Sequence, residues 1–172
     1  MTKFANHLGL ALAAMALSTA VSAAMDTSQI TVSANILAAC SVGNGTTMVF
    51  GAITMIDADG AKTATDSTAS STFPAICTTV PTFTYASANV LDGVFRLRGA
   101  TTTTEYLPYS LFPASSATGT AIVSGAAVAY SGFTVNGVSN ALSLTGQIAA
   151  ASKAGQSVQS YGDTITVTVT FP

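Results

Sequence analysis

Charge is what this chain has least of. Only 7 % of its residues are charged, where a soluble domain usually carries about 25 %. Tryptophan is absent and histidine occurs once, as His7. His7 falls within an export-signal pattern, so the processed chain is expected to hold no histidine. That excludes the commonest general base, the Ser-His-Asp triad and most transition-metal sites. Basic residues are scarce as well. Beyond the signal there are four (Lys62, Arg96, Arg98, Lys153) against seven acids, a net charge of −3. No basic surface for nucleic acid exists, and no polybasic membrane patch. No later run is long and apolar enough to make a transmembrane helix. A weakly charged surface suits a chain that packs against copies of itself, since charge is what keeps soluble monomers apart. A compositional habit of secreted β-proteins accounts for it equally well.

The N-terminus reads as an export signal. Lys3 supplies a positive start, residues 8–17 an apolar stretch, and Val21-Ser22-Ala23 the small residues of a cleavage site. Cleavage is expected after Ala23. About 149 residues then remain, enough for one domain with its own core. Cys40 and Cys77 are the only cysteines. In an exported chain an even count makes a disulfide the default. Closing a loop of about 38 residues is worth at most about 4 kcal/mol in the chain-entropy account. A metal site is the weaker reading, because neither cysteine has a second Cys or His at ligand spacing.

Two runs alternate polar and apolar residues strictly: Gln29 to Ile36 near the start and Thr164 to Phe171 at the end. Such alternation predicts half-buried strands. Between them, turn pairs such as Asp92-Gly93, Ser131-Gly132, Asn136-Gly137 and Gly162-Asp163 separate short strand-like runs. These are Met48 to Phe50, Thr82 to Tyr85, Val94 to Leu97, Tyr106 to Phe112, Ala126 to Tyr130, Phe133 to Val135 and Ala141 to Leu144. Many short strands with frequent turns predict an all-β sandwich or barrel. Asn136-Gly137 is the clearest hairpin signal, since both residues accept positive φ.

Catalytic and ligand motifs are thin. Asp57-Ala58-Asp59-Gly60 resembles the start of a calcium loop, but Ala61 and Thr68 stand where further oxygen ligands belong, so a surface turn is the better reading. Asp26, Asp57, Asp59, Asp66, Asp92, Glu105 and Asp163 show no pairing for acid–base work. Lys62 and Lys153 have no nucleophile motif beside them. Arg96 and Arg98 share one strand face, read as a solvated outer face or an anchor for Glu105, with the first preferred. Leu107, Tyr109 and Leu111 alternate like core residues, so Tyr106 to Phe112 is a central strand and not a sugar platform. Asn44-Gly45-Thr46 fits a glycosylation sequon too short to carry weight. No enzyme, no cofactor and no metal site is expected.

Several stretches resemble one family. Ile36-Leu37-Ala38-Ala39-Cys40-Ser41-Val42 is similar to the start of spore coat protein U domains, where an apolar strand runs into Cys-x-Val. Phe50-Gly51 matches the Phe-Gly that comes next in that family, and Cys77 the second cysteine. Leu107-Pro108-Tyr109-Ser110-Leu111-Phe112 resembles the Leu-x-Tyr-x-Leu-Tyr strand, with Phe112 in place of the last tyrosine. Tyr161-Gly162-Asp163-Thr164, running on to Phe171, resembles the terminal Tyr-x-Asp-Thr strand.

This resemblance implies an incomplete immunoglobulin-like β-sandwich that lacks its final strand, as in pilins of archaic chaperone–usher pili. A periplasmic chaperone lends a strand first. The N-terminal segment of the next subunit, another copy or a sister pilin, then replaces it at an outer-membrane usher. The expected organisation is a signal over 1–23, a donor extension over 24–38 and a pilin domain over 39–172. The donor's inward face is Ile30, Val32, Ala34 and Ile36. The groove is lined by Ile165, Val167, Val169 and Phe171. The implied role is a structural subunit of a surface pilus for adhesion and biofilm formation. The alternatives are a tip or minor adhesin, and a secreted coat-type monomer completed by its own strand.

Overall fold

The computed structural model describes residues 28–55 and 65–172. The expected signal, Asp26, Lys62 and the Asp57–Gly60 turn lie outside the described residues. The chain divides into one unit ending at Asn35 and another beginning at Ile36. The described part of the first unit, residues 28–35, has no regular secondary structure, although its alternation predicts a strand.

The second unit is an all-β sandwich of nine strands among the described residues. They are β1 (Cys40–Val42), β2 (Ser67–Cys77), β3 (Thr82–Ala86), β4 (Phe95–Gly99), β5 (Tyr106–Phe112), β6 (Ala127–Val128), β7 (Ser139–Ile148), β8 (Tyr161–Gly162) and β9 (Thr166–Thr170). One sheet runs β1-β2-β7-β5-β4-β8 and the other β6-β3-β9. Alternation drives the packing. Leu107, Tyr109 and Leu111 of β5 and Leu142, Leu144 and Ile148 of β7 turn inward, onto Phe83 and Tyr85 of β3. Each large side chain so buried contributes about 1.5–3 kcal/mol. Phe73 of β2 meets Phe83 of the other sheet edge-on, with ring centroids 6.0 Å apart, a favoured aromatic geometry.

β2 escapes a reading by hydrophobic runs. Its first six residues, Ser67 to Thr72, are Ser and Thr except for Ala69. It holds because it lies between β1 and β7 and pairs with β7 from Ser67 to Ile76. Pro74 then limits β1. In the ladder Gly43 N–H donates to Pro74 O at 2.9 Å, but Pro74 has no N–H to return. Regular pairing stops at Val42. Beyond it the chain stays near β2 through one further backbone bond, Thr46 N–H to Thr72 O at 2.9 Å, and through a side chain, as Thr72 N–H donates to Thr46 Oγ1 at 3.0 Å.

Four expected strands differ, one of them Ala126 to Tyr130, of which only Ala127–Val128 pairs, with β3. Met48 to Phe50 is irregular chain that packs against the core. Phe133 to Val135 is loop, because Asn140 takes the place of a partner strand. Its Oδ1 accepts from Thr134 N and its Nδ2 donates to Thr134 O, both at 2.8 Å. The Asn136-Gly137 turn itself does form, with φ of 66° and 79°. The Ala141–Leu144 run extends to a ten-residue strand, which leads into a short 3-10 turn over Ala150–Lys153. Asp92-Gly93 closes a two-residue hairpin in which Leu91 and Val94 exchange backbone bonds of 3.1 and 2.9 Å.

Cys40 and Cys77 are bonded and sit directly opposite each other on β1 and β2. Among the described residues no helix is long and apolar enough to cross a membrane.

Candidate functional site

The last strand has one free edge. β9 pairs with β3 from Thr166 to Thr170 and has no second partner strand among the described residues. An unpaired row of N–H and C=O groups is a template for another strand. Beside this edge runs a seam between β9 and the chain that leaves β1. A cavity of about 510 Å³ lies in it, walled by Val42–Met48 and Phe50 on one side and by Thr164, Ile165 and Val167 on the other. Its floor includes Phe73, Tyr109, Leu111 and Leu144, which are core residues of β2, β5 and β7. A second cavity of about 580 Å³ continues the seam between residues 47–55 and 156–163. The core of the sandwich is therefore reachable along one side.

Gly146 shapes the far wall. It lies on the inward face of β7, and a Cβ there would come 2.6 Å from Met48 Sδ and 2.7 Å from Phe50 Cζ. With glycine there both side chains lie on the sheet, and a Cβ would require them to shift. Phe50 then meets the Tyr109 ring edge-on at 6.0 Å. Gly51 comes next at φ +71°, a conformation that favours glycine. This is the physical content of the Phe50-Gly51 pair.

Asp163 fixes the approach to β9. Tyr109 OH donates to its Oδ2 at 2.8 Å. Its Oδ1 accepts from Ser87 Oγ, from Asn89 Nδ2 at 2.9 Å and from Thr164 N at 2.9 Å. One carboxylate thus ties the chain after β3 and the middle of β5 to the start of the terminal run. Burial, with Asp163 second, pushes the Tyr109 phenol up, so it stays a donor. Tyr161, two residues earlier, donates to Glu105 Oε2 at 3.0 Å. Ser157 Oγ and Gln159 Nε2 donate to the same carboxylate at 2.6 and 2.9 Å. The Ser157 bond, ahead of those from Tyr161 and Gln159, holds Glu105 below the usual carboxylate range. The Tyr-x-Asp-Thr motif is a latch that sets where the terminal strand begins.

The expected groove residues divide. Ile165 and Val167 line the seam. Val169 packs against the core opposite Phe83. Phe171 lies just past the end of β9 and is 37 % exposed. Of the donor residues, Ile30, Val32 and Ile36 are 86, 87 and 94 % exposed, and Ala34 is also exposed. Neither arginine bonds Glu105; Arg98 is exposed and Arg96 half-buried. Arg96 Nε donates to Asn89 O at 2.9 Å, with its guanidinium 4.2 Å from the Tyr106 ring centroid. Arg98 Nε donates to Thr103 O at 3.0 Å. The seam's far wall and the Asp163 hub were missed by sequence reasoning. Phe50-Gly51 was the one local signal for the wall. Lys153 is buried, with Nζ donating to Thr65 O and Ser67 Oγ, both at 2.8 Å. Among the described residues no cluster of His, Cys, Asp and Glu could hold a metal ion.

The fold is thus a two-sheet β-sandwich whose last strand is an edge strand among the described residues. Residues 26–168 match the family model of the Spore Coat Protein U domain, and the chain belongs to that family. No curated protein matches the chain. A similar solved chain comes from a chaperone–tip adhesin complex in the biogenesis of CFA/I fimbriae, with 16 % identity over 61 % of this chain and a TM-score of 0.41. The match covers 35 % of that chain, about a third of its length.

Proposed function

We propose that this chain is a structural pilus subunit that polymerises by donor-strand complementation. The observation that carries this reading is the free edge of β9 beside a seam floored by the sandwich core. A strand laid there would meet backbone partners on β9 and apolar floor beneath. Residues 29–37 of another copy have the matching chemistry, with Ile30, Val32, Ala34 and Ile36 on one face and Thr31, Ser33 and Asn35 on the other. Burying the three large residues contributes about 1.5–3 kcal/mol each before ordering costs.

An open apolar seam is an aggregation hazard until it is covered. A periplasmic chaperone that lends a strand would cover it, and an outer-membrane usher is where exchange for the next subunit would occur. The product is a surface fibre serving adhesion and biofilm formation, a structural role and not a catalytic one. Export with cleavage after Ala23 belongs to the same reading.

The direct test is the chain lacking residues 24–37, expressed with its chaperone. It keeps its seam and loses its donor. It should bind the chaperone and accept a donor segment, yet form no fibres alone. Fibres from that chain would overturn the mechanism.

A further inference from the structure

We propose that the Cys40–Cys77 bond is a tension clamp that isolates the open seam from force on the N-terminal segment. The proposal rests on the reading that residues 29–37 are held in a neighbouring subunit. In such a fibre, tension enters each sandwich through the residues just before Cys40. The first element it meets is β1, an edge strand of three residues held on β2 alone. Its regular ladder ends at Gly43, because Pro74 offers no N–H, and past it a single backbone bond, Thr46 N to Thr72 O at 2.9 Å, holds the chain to β2. A short edge strand pulled from its end opens one pair at a time and resists little.

Loss of β1 would reach the seam directly, because the chain from Val42 to Met48, with Phe50, is one wall of it. Peeling β1 would carry on into that wall, uncover the floor and release whatever strand lies in the seam. Strain on one junction would then pass to the next. The disulfide stands at the one place that stops this. Cys40 is the first residue of β1, and Cys77 the last of β2. Force arriving at Cys40 crosses to β2 before any pair of β1 is loaded. β2 is an inner strand, paired with β7 along Ser67–Ile76. The bonds preceding the clamp, Thr78 N to Ala39 O at 2.9 Å and Ala39 N to Thr78 Oγ1 at 2.8 Å, can break without moving the wall.

Assembled fibres of the full chain provide the test. They are held between two beads at constant tension, or left at rest, before and after mild reduction. Under tension, reduction should shorten the lifetime of a subunit junction about tenfold or more, while exchange of labelled subunits at rest changes by less than about twofold. An unchanged lifetime under tension overturns the clamp. So does equal shortening at rest, since the bond would then act through general stability alone. The Cys40→Ser/Cys77→Ser double variant should behave as the reduced fibre does. If it does not accumulate, reduction of preassembled fibres still gives the answer. Val32→Asp separates this proposal from the one beneath it. Normal fibres from that variant sink the donor-strand reading. Fibres that need Val32 yet ignore reduction under load sink the clamp only.

Discussion

Residues 29–36 and 164–171 are written in the same pattern, polar and apolar in turn, yet only the second contains a strand in the single chain. The second run has what a strand needs. β3 offers it a backbone edge, and Val167 and Val169 rest on the core. In residues 28–36 no strand forms, and Ile30, Val32 and Ile36 stay exposed. Alternation specifies which face a strand would bury, not whether an edge is there to receive it. The two runs are complementary in that sense. Among the described residues, one is a strand with a free edge and the other a strand-like segment without a partner strand.

The sharpest way to break this comparison is a charge in the first run. Val32→Asp would put a carboxylate on the apolar face of the donor, where burial of an unpaired charge is prohibitive. We expect fibres to vanish in electron micrographs, while the subunit's own sandwich and its chaperone complex survive. Normal fibres from Val32→Asp would show that the two runs do not meet.

A smaller effect is expected at the seam's far wall. Gly146→Ala would set a methyl against Met48 Sδ and Phe50 Cζ. Overpacking of this kind costs about 1–3 kcal/mol. Urea unfolding of the chaperone-free subunit bound to a donor peptide should show that loss. Wild-type stability would mean that Met48 and Phe50 move aside freely and do not define the wall.

How much of this is legible in the sequence depends on the physics of each element. β5 and β9 are visible because Leu107, Tyr109, Leu111, Val167 and Val169 write their burial into the sequence at period two. β2 is not, since Ser67 to Thr72 looks like linker and Pro74 looks like an interruption. Its place between β1 and β7 is decided by pairing with residues far along the chain. The seam is half legible. Ile165 and Val167 can be named from their alternation. The opposite wall is irregular chain, held by Gly146 on a strand about a hundred positions away. The Asp163 hub joins residues 54 to 76 positions apart in the chain. No local pattern announces such a cluster.

Alkaline pH offers a gentler probe of the second run's support. Burial raises the phenols of Tyr85, Tyr109 and Tyr130 above their ordinary value of 10.0. A group raised in the folded state contributes stability that is complete below its unfolded value. That stability is lost as pH climbs from about 10 toward the folded value, because the unfolded chain sheds its protons first. Melting temperature should therefore be flat to about pH 9 and fall beyond it. Tyr109→Phe should fall less steeply, while losing about 1.5–3 kcal/mol at neutral pH with its bond to the Asp163 carboxylate. An unaltered alkaline slope in that variant would assign the effect to the other raised phenols, Tyr161 and the mutually bonded pair Tyr85 and Tyr130.

The smallest effect is predicted one residue from the largest. Thr31 neighbours Val32 but points to the other side of an extended segment. In the proposed register it faces outward from the seam with Ser33 and Asn35. Thr31→Asp adds the same carboxylate as Val32→Asp, in the same segment, with the same effect on net charge. It should leave fibre yield near wild type, because a solvated charge costs little. The pair therefore isolates orientation from charge. If both variants lose fibres equally, the chain is sensitive to charge anywhere in residues 29–37 and the register is wrong. If Thr31→Asp alone abolishes fibres, the segment is slipped by one residue, and Thr31, Ser33 and Asn35 are the buried face. Quantifying fibres for the two side by side decides among these directly.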